Sequence, residues 1–98
     1  MQKEEVKISL LGNMKEFHLC YSLLYGGGVP VKGRDSKGII YNFTMEIFSV
    51  ERIRGTIYFE GEARGKGGTA SVTGTYDPGS NISYVSVGKE NCSLLQIA

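Results

Sequence analysis

The stretch IYFEGEARGKGGTASVTGTY, residues 57–76, decides the fold. Ile57, Phe59, Gly61 and Ala63 alternate with Tyr58, Glu60, Glu62 and Arg64. Beyond a glycine-rich turn, Ala70, Val72, Gly74 and Tyr76 alternate with threonines and a serine. A period of two marks a half-buried strand, because successive side chains leave a pleated chain on opposite faces. A loop over residues 65–68 sets Gly61 opposite Val72 and Phe59 opposite Gly74. Small then faces large on each rung, which is how a tightly curved sheet fills its interior.

The same period extends outward in both directions. Ile39, Tyr41, Phe43, Met45 and Ile47 form an inward set before this hairpin. Both inward sets are odd-numbered, so the connection needs an odd count, and Glu51-Arg52-Ile53 reads as a three-residue loop. After it, Asp77-Pro78-Gly79 is a turn: proline presets φ and glycine takes the positive-φ position. Ile82 and Tyr84 continue the inward set. Gly88-Lys89 reads as a last turn, and residues 91–97 as a closing strand with Leu95 and Ile97 inward.

Near the start, Val6, Ile8 and Leu10 alternate with Lys7 and Ser9. A Gly12-Asn13 turn would pair this strand with Phe17, Leu19, Tyr21 and Leu23, setting Ile8 opposite Phe17. The alternative is a helix over about residues 14–25, capped by Asn13 and stopped by Gly26, Gly27 and Gly28. The expected fold is all-β: a small antiparallel meander of six to eight strands closed into a barrel or sandwich. If the helix forms, the fold is α+β, with that helix packed on a curved sheet.

Ninety-eight residues read as a single domain. Eleven basic residues against ten acidic give a net charge of +1, which points away from nucleic-acid binding by phosphate neutralisation. No apolar run reaches the roughly 18 residues of a membrane helix. The opening MQKEEVKISL has no signal-peptide core, although a mature secreted chain reads the same way, so the compartment is open. Cys20 and Cys92 do not form a CxxC pair and read as half-buried thiols, with a single disulfide between them as the alternative. Three N-x-S/T sequons, at Asn42, Asn81 and Asn91, read as accidents of a Ser/Thr-rich β protein.

Catalytic and cofactor motifs fail on inspection. In YGGGVPVKGRDSKGII, residues 25–40, Lys37 precedes Gly38 and a strand, whereas a phosphate-binding loop needs a hydroxyl residue and a helix N-terminus. Residues 26–38 therefore read as a flexible connector, with Lys32, Arg34 and Lys37 offered to an anionic partner. His18 with Cys20 is the one candidate thiolate pair. With Cys92 it still supplies only three of the four ligands of a structural zinc, so no metal or other cofactor is expected. Glu60 and Glu62 share a face and read as a solvated, salt-bridged surface rather than an acid/base pair.

Residues 67–87, GGTASVTGTYDPGSNISYVSV, have a cadence similar to avidin-type or calycin-type hairpins. The chain lacks the tryptophan that avidin-type biotin pockets use, and it is assigned to neither family.

The expected function is a non-catalytic binding or interaction module. It would self-associate, bind a protein partner, or hold a small apolar ligand inside the barrel against Tyr41, Phe43, Phe59, Tyr76 and Tyr84. Self-association is suggested by an outer face that carries Leu11, Leu24, Ile40, Phe48, Val50, Val85, Val87 and Leu94. The alternatives are a small-barrel enzyme of isomerase or cyclase type, with Tyr41, Tyr76 and Tyr84 as its inward polar groups, and a structural subunit of a larger assembly.

Overall fold

The computed structural model describes residues 4–11 and 28–96. Six antiparallel strands close into a barrel: β1 (Glu5–Leu11), β2 (Val29–Arg34), β3 (Ile40–Ile53), β4 (Thr56–Gly65), β5 (Gly68–Asp77) and β6 (Ile82–Gly88). Neighbours in sequence are neighbours in the wall, and β1 pairs β6 to close the ring. A short 3-10 helix, η1 (Lys89–Leu94), follows β6.

The residues 57–76 hairpin forms in the expected register, with Gly61 opposite Val72 and Phe59 opposite Gly74. The pairing runs one rung further, to Gly65 opposite Gly68, leaving Lys66 and Gly67 as the turn. Tyr41, Phe43, Met45 and Ile47 are buried from β3, as are Ile57, Phe59 and Ala63 from β4. Ile39, expected inward, precedes β3 and is 38% exposed.

The three-residue loop between β3 and β4 is corrected. The strands continue to Ile53 opposite Thr56, and Arg54 and Gly55 alone make the turn. The odd residue is absorbed by a β-bulge at Phe48, between the pairs Ile47–Gly61 and Ser49–Glu60. A bulge adds one residue to one strand, so it flips the parity beyond it. Val50 therefore turns inward, opposite Phe59, rather than lying on the outer face.

Both residues of that turn have positive φ, 51° at Arg54 and 84° at Gly55. Such a turn matches the twist of a hairpin and favours Asn-Gly, because a Cβ in the left-handed region crowds the following carbonyl, a cost that glycine escapes and asparagine offsets by local hydrogen bonding. Arg54→Asn is expected to raise the unfolding free energy by about 0.5–1 kcal/mol. Urea denaturation checks this; an unchanged midpoint would show that Arg54 bears no strain.

The inward set assigned to β6 is also corrected. Four residues, 78–81, separate Asp77 from its partner Ile82, so Tyr76 faces Ser83. Asn81 adopts φ 58° and returns its N–H to the Asp77 carbonyl at 2.8 Å. Ser83, Val85 and Val87 are buried, whereas Ile82 is 50% exposed and Tyr84 lies half-buried on the outer wall. The expected apolar outer patch is reduced: Val85 and Val87 are core and Leu94 packs against the core from η1, whereas Leu11 and Phe48 stay exposed at 47% and 56%, and Leu24 lies outside the described residues.

Two further expectations fail. The connector at residues 26–38 contains β2, which pairs β3 along its whole length and β1 over Lys32, Gly33 and Arg34. Pro30 lies beyond the β1 pairing, so its missing N–H breaks no bond to β1. Of the closing strand expected over residues 91–97, residues 91–94 belong to η1, Cys92 and Leu95 are turned into the barrel end, and Ile97 lies outside the described residues. Helix η1 is tied down by Asn42 N–H to the Leu95 carbonyl at 3.1 Å and Gly67 N–H to the Leu94 carbonyl at 3.0 Å. The strand or helix expected over residues 14–25, with its Ile8–Phe17 register, lies outside the described residues. The described partners of β1 are β6 and β2.

Candidate functional site

The expected ligand-lining aromatics divide between two environments. Tyr41, Phe43, Phe59 and Tyr76 belong to the hydrophobic core. Tyr84 does not join them, because the parity of β6 places it outside. At Gly74 the interior is filled: a Cβ there would overlap the Phe59 ring. At Gly61 a Cβ would overlap the Glu46 carbonyl oxygen. Mid-strand glycines here serve close packing and not an open cavity.

One end of the barrel holds the main polar cluster. Asp35 opens the β2–β3 turn: its Oδ1 accepts the N–H groups of Lys37 at 2.9 Å and Ile39 at 3.0 Å. Its Oδ2 accepts the Tyr41 hydroxyl at 2.7 Å. Cys92, from η1, and Gln96 adjoin the same phenol. These residues border a recess of about 630 Å³ that Lys37 and Lys89 also line.

The electrostatics hold this cluster in one protonation state at neutral pH. Burial, then the hydrogen bond and charge of Asp35, push Tyr41 up to about 12. Burial also raises the Cys92 thiol, whose Sγ donates to the Gly88 carbonyl at 3.6 Å. Both groups are thus held protonated, the wrong state for a nucleophile or base. Burial works to raise Asp35, but the Tyr41, Ile39 and Lys37 hydrogen bonds and the Lys37 charge outweigh it and hold the carboxyl low.

Tyr41 therefore ties stability to alkaline pH. Its folded pKa exceeds the unfolded value of about 10, so its contribution is complete below pH 10 and is lost as pH rises toward 12. Tyr41→Phe is expected to lower stability at neutral pH by about 1–2 kcal/mol, since a hydrogen bond to a charged acceptor is lost. It should also flatten the alkaline decline. Thermal melts across that range check both effects; a decline that persists in the variant would assign it to another group.

The expected anion contacts lie on β2 and the turn that follows it. Lys32 and Arg34 project outward from β2, while Lys37 sits in the following turn and borders the recess at the barrel end. Glu60 and Glu62 both face outward, and Arg64 reaches Glu46 across the hairpin at 3.9 Å. That pair is exposed and contributes little. His18 and Cys20 lie outside the described residues. Among the described residues, no group of three metal-ligating side chains is present. No helix among them is long and apolar enough to cross a membrane.

Sequence reasoning missed a second depression, a groove of about 330 Å³ on the outer wall. It is built from two successive rungs of outward side chains. One rung carries Lys7, Ser86, Thr73, Glu60 and Ser49 on β1, β6, β5, β4 and β3. In the next, Tyr84, Thr75, Tyr58 and Glu51 follow on β6, β5, β4 and β3. Tyr58 is 44% exposed, and the Lys7 ammonium sits 4.3 Å from the centre of the Tyr84 ring. The signal for this groove was present in the Thr/Ser alternation of residues 69–75. It became readable only once Tyr84 was known to point outward.

No protein-family model matches the chain, and neither a curated protein nor a solved structure matches it. Function is therefore read from the chain's own geometry.

Proposed function

We propose that this chain is a non-catalytic binding module that meets its ligand on the outer wall of the barrel. The observation that carries this reading is the contrast between the two faces of the sheet. Inside, Phe59 occupies the space beside Gly74, and the buried set contains no charged side chain among the described residues. Outside, a groove combines two tyrosines, hydroxyls and charges of both signs. Ligand sites combine apolar surface with a few convergent polar groups, and the outer depression has both. The tyrosine-based enzyme is not favoured, since Tyr41 is engaged with Asp35 and Tyr76 donates to Asn81 at 3.3 Å.

A screen of neutral and charged fragments against labelled protein tests the location. Amide shifts should cluster at Tyr58, Thr73 and Thr75. Shifts confined to Met45 and Ala63, with native-state uptake of an anilinonaphthalene dye, would return the ligand to the interior. Self-association, the other part of the reading, now rests on exposed Phe48, Ile53 and Ile82. Sedimentation velocity at high concentration checks it, and a monomer throughout would count against it.

A further inference from the structure

We infer that the outer groove takes a neutral oligosaccharide laid across the strands, an assignment that rests on the outer-wall reading above. Three features of the two rungs select this chemistry. The first is a run of hydroxyls. Ser86, Thr73, Thr75 and Ser49 each supply one donor and two acceptor positions, the same inventory that a sugar hydroxyl presents in return. The threonines are stiff at χ1, so ordering them on binding costs little entropy.

The second feature is the aromatic spacing. Tyr84 and Tyr58 stand on one rung with Thr75 between them. Two strand spacings separate them, roughly 10 Å. A pyranose ring has an apolar C–H face and a polar rim. It stacks its face on an aromatic ring while its rim reaches neighbouring hydrogen-bonding groups. Tyrosine offers the matching pair, an apolar body with a polar tip. At the Tyr84 end the Lys7 ammonium already covers the ring, so Lys7 closes that end and Tyr58 is the open platform.

The third feature is charge. Lys7 offsets one of the two carboxylates, Glu60 and Glu51, so the groove has no large field of either sign. A polyanion would meet two carboxylates, and a polycation would meet Lys7. Carboxylates flanking hydroxyls serve a neutral polyol well, since each oxygen accepts from a ligand hydroxyl.

The test is an amide-shift titration of the full chain with neutral β-1,4-linked oligosaccharides of glucose, N-acetylglucosamine, mannose and xylose, and separately with spermidine. At least one saccharide should shift Tyr58, Thr73 and Thr75. Tyr58→Ala should weaken that binding about tenfold or more, whereas Lys66→Ala, in the exposed β4–β5 turn outside the groove, should leave it unchanged. Melting curves of both variants confirm that they fold. Groove shifts with spermidine or with fragments, but with none of the saccharides, would overturn the oligosaccharide and leave the outer-wall site standing. Silence of the groove toward every probe would overturn both. Saccharide binding that is unaffected by Tyr58→Ala would overturn the groove as its seat.

Discussion

Phe59→Ala should lower the unfolding free energy by about 3–5 kcal/mol, the range for deleting a fully buried aromatic side chain. Phe59 is 2% exposed and its ring covers Gly74 on the neighbouring strand. It also faces Val50 across β3, on the segment that the bulge has turned inward. Removing the ring takes contacts from both neighbouring strands, β3 and β5, and a barrel wall held by backbone ladders on both sides cannot collapse to fill the space. Guanidinium denaturation measures the loss. A cost below about 1 kcal/mol would mean that the ring does not fill the interior, and the interior ligand reading would revive.

The same geometry predicts a coupling. Gly74→Ala alone should be destabilising, because the new methyl group meets the Phe59 ring. In the Phe59→Ala background part of that cost should vanish, while the approach to the Tyr84 carbonyl oxygen at 2.7 Å remains. Residues in contact deviate from additivity by about 0.5–3 kcal/mol, so a double-mutant cycle resolves it.

The second large effect is expected at Gly61. Gly61→Ala should cost about 3 kcal/mol or more, at the upper end of overpacking. A Cβ there overlaps the Glu46 carbonyl oxygen and stands 3.1 Å from the Ile47 Cα. These are backbone atoms, so no rotamer change relieves the clash. Close approach arises because the Phe48 bulge sits one residue beyond the Ile47–Gly61 pair and bends β3 over β4. Gly55→Ala is the comparison: a Cβ there meets nothing within 4 Å, and only its φ of 84° opposes the change. It should cost about 1–2 kcal/mol. Equal losses at the two sites would deny the close packing of β3 on β4.

Which parts of the chain were legible follows from local competition between patterns. Residues 57–76 alternate in a single phase and meet at a short glycine turn, so both the inward face and the register could be read directly. Residues 82–87 carry two phases in conflict: Ile82 and Tyr84 argue for one, Val85 and Val87 for the other. Only Asn81 in the left-handed region, closing on Asp77, selects the second. The candidate groove depends on that choice, since Tyr84 joins Tyr58 on the outer wall only in this phase. Helix η1 did leave a trace. Cys92 and Leu95 are three residues apart, the repeat of a 3-10 turn, but a six-residue element is too short for periodicity to separate from a strand.

By itself, the sequence determined that this chain builds curved antiparallel strands with an uncharged interior, because alternation and turn chemistry are local properties of a few adjacent residues. Tertiary structure alone decided the bulge at Phe48, the insertion of β2 between β1 and β3, the closure of β1 on β6 and the plugging of one end by η1. Each of these depends on contacts between segments far apart in the chain, where the gain lies in completing a ring with no free edge rather than in any single strand's preference.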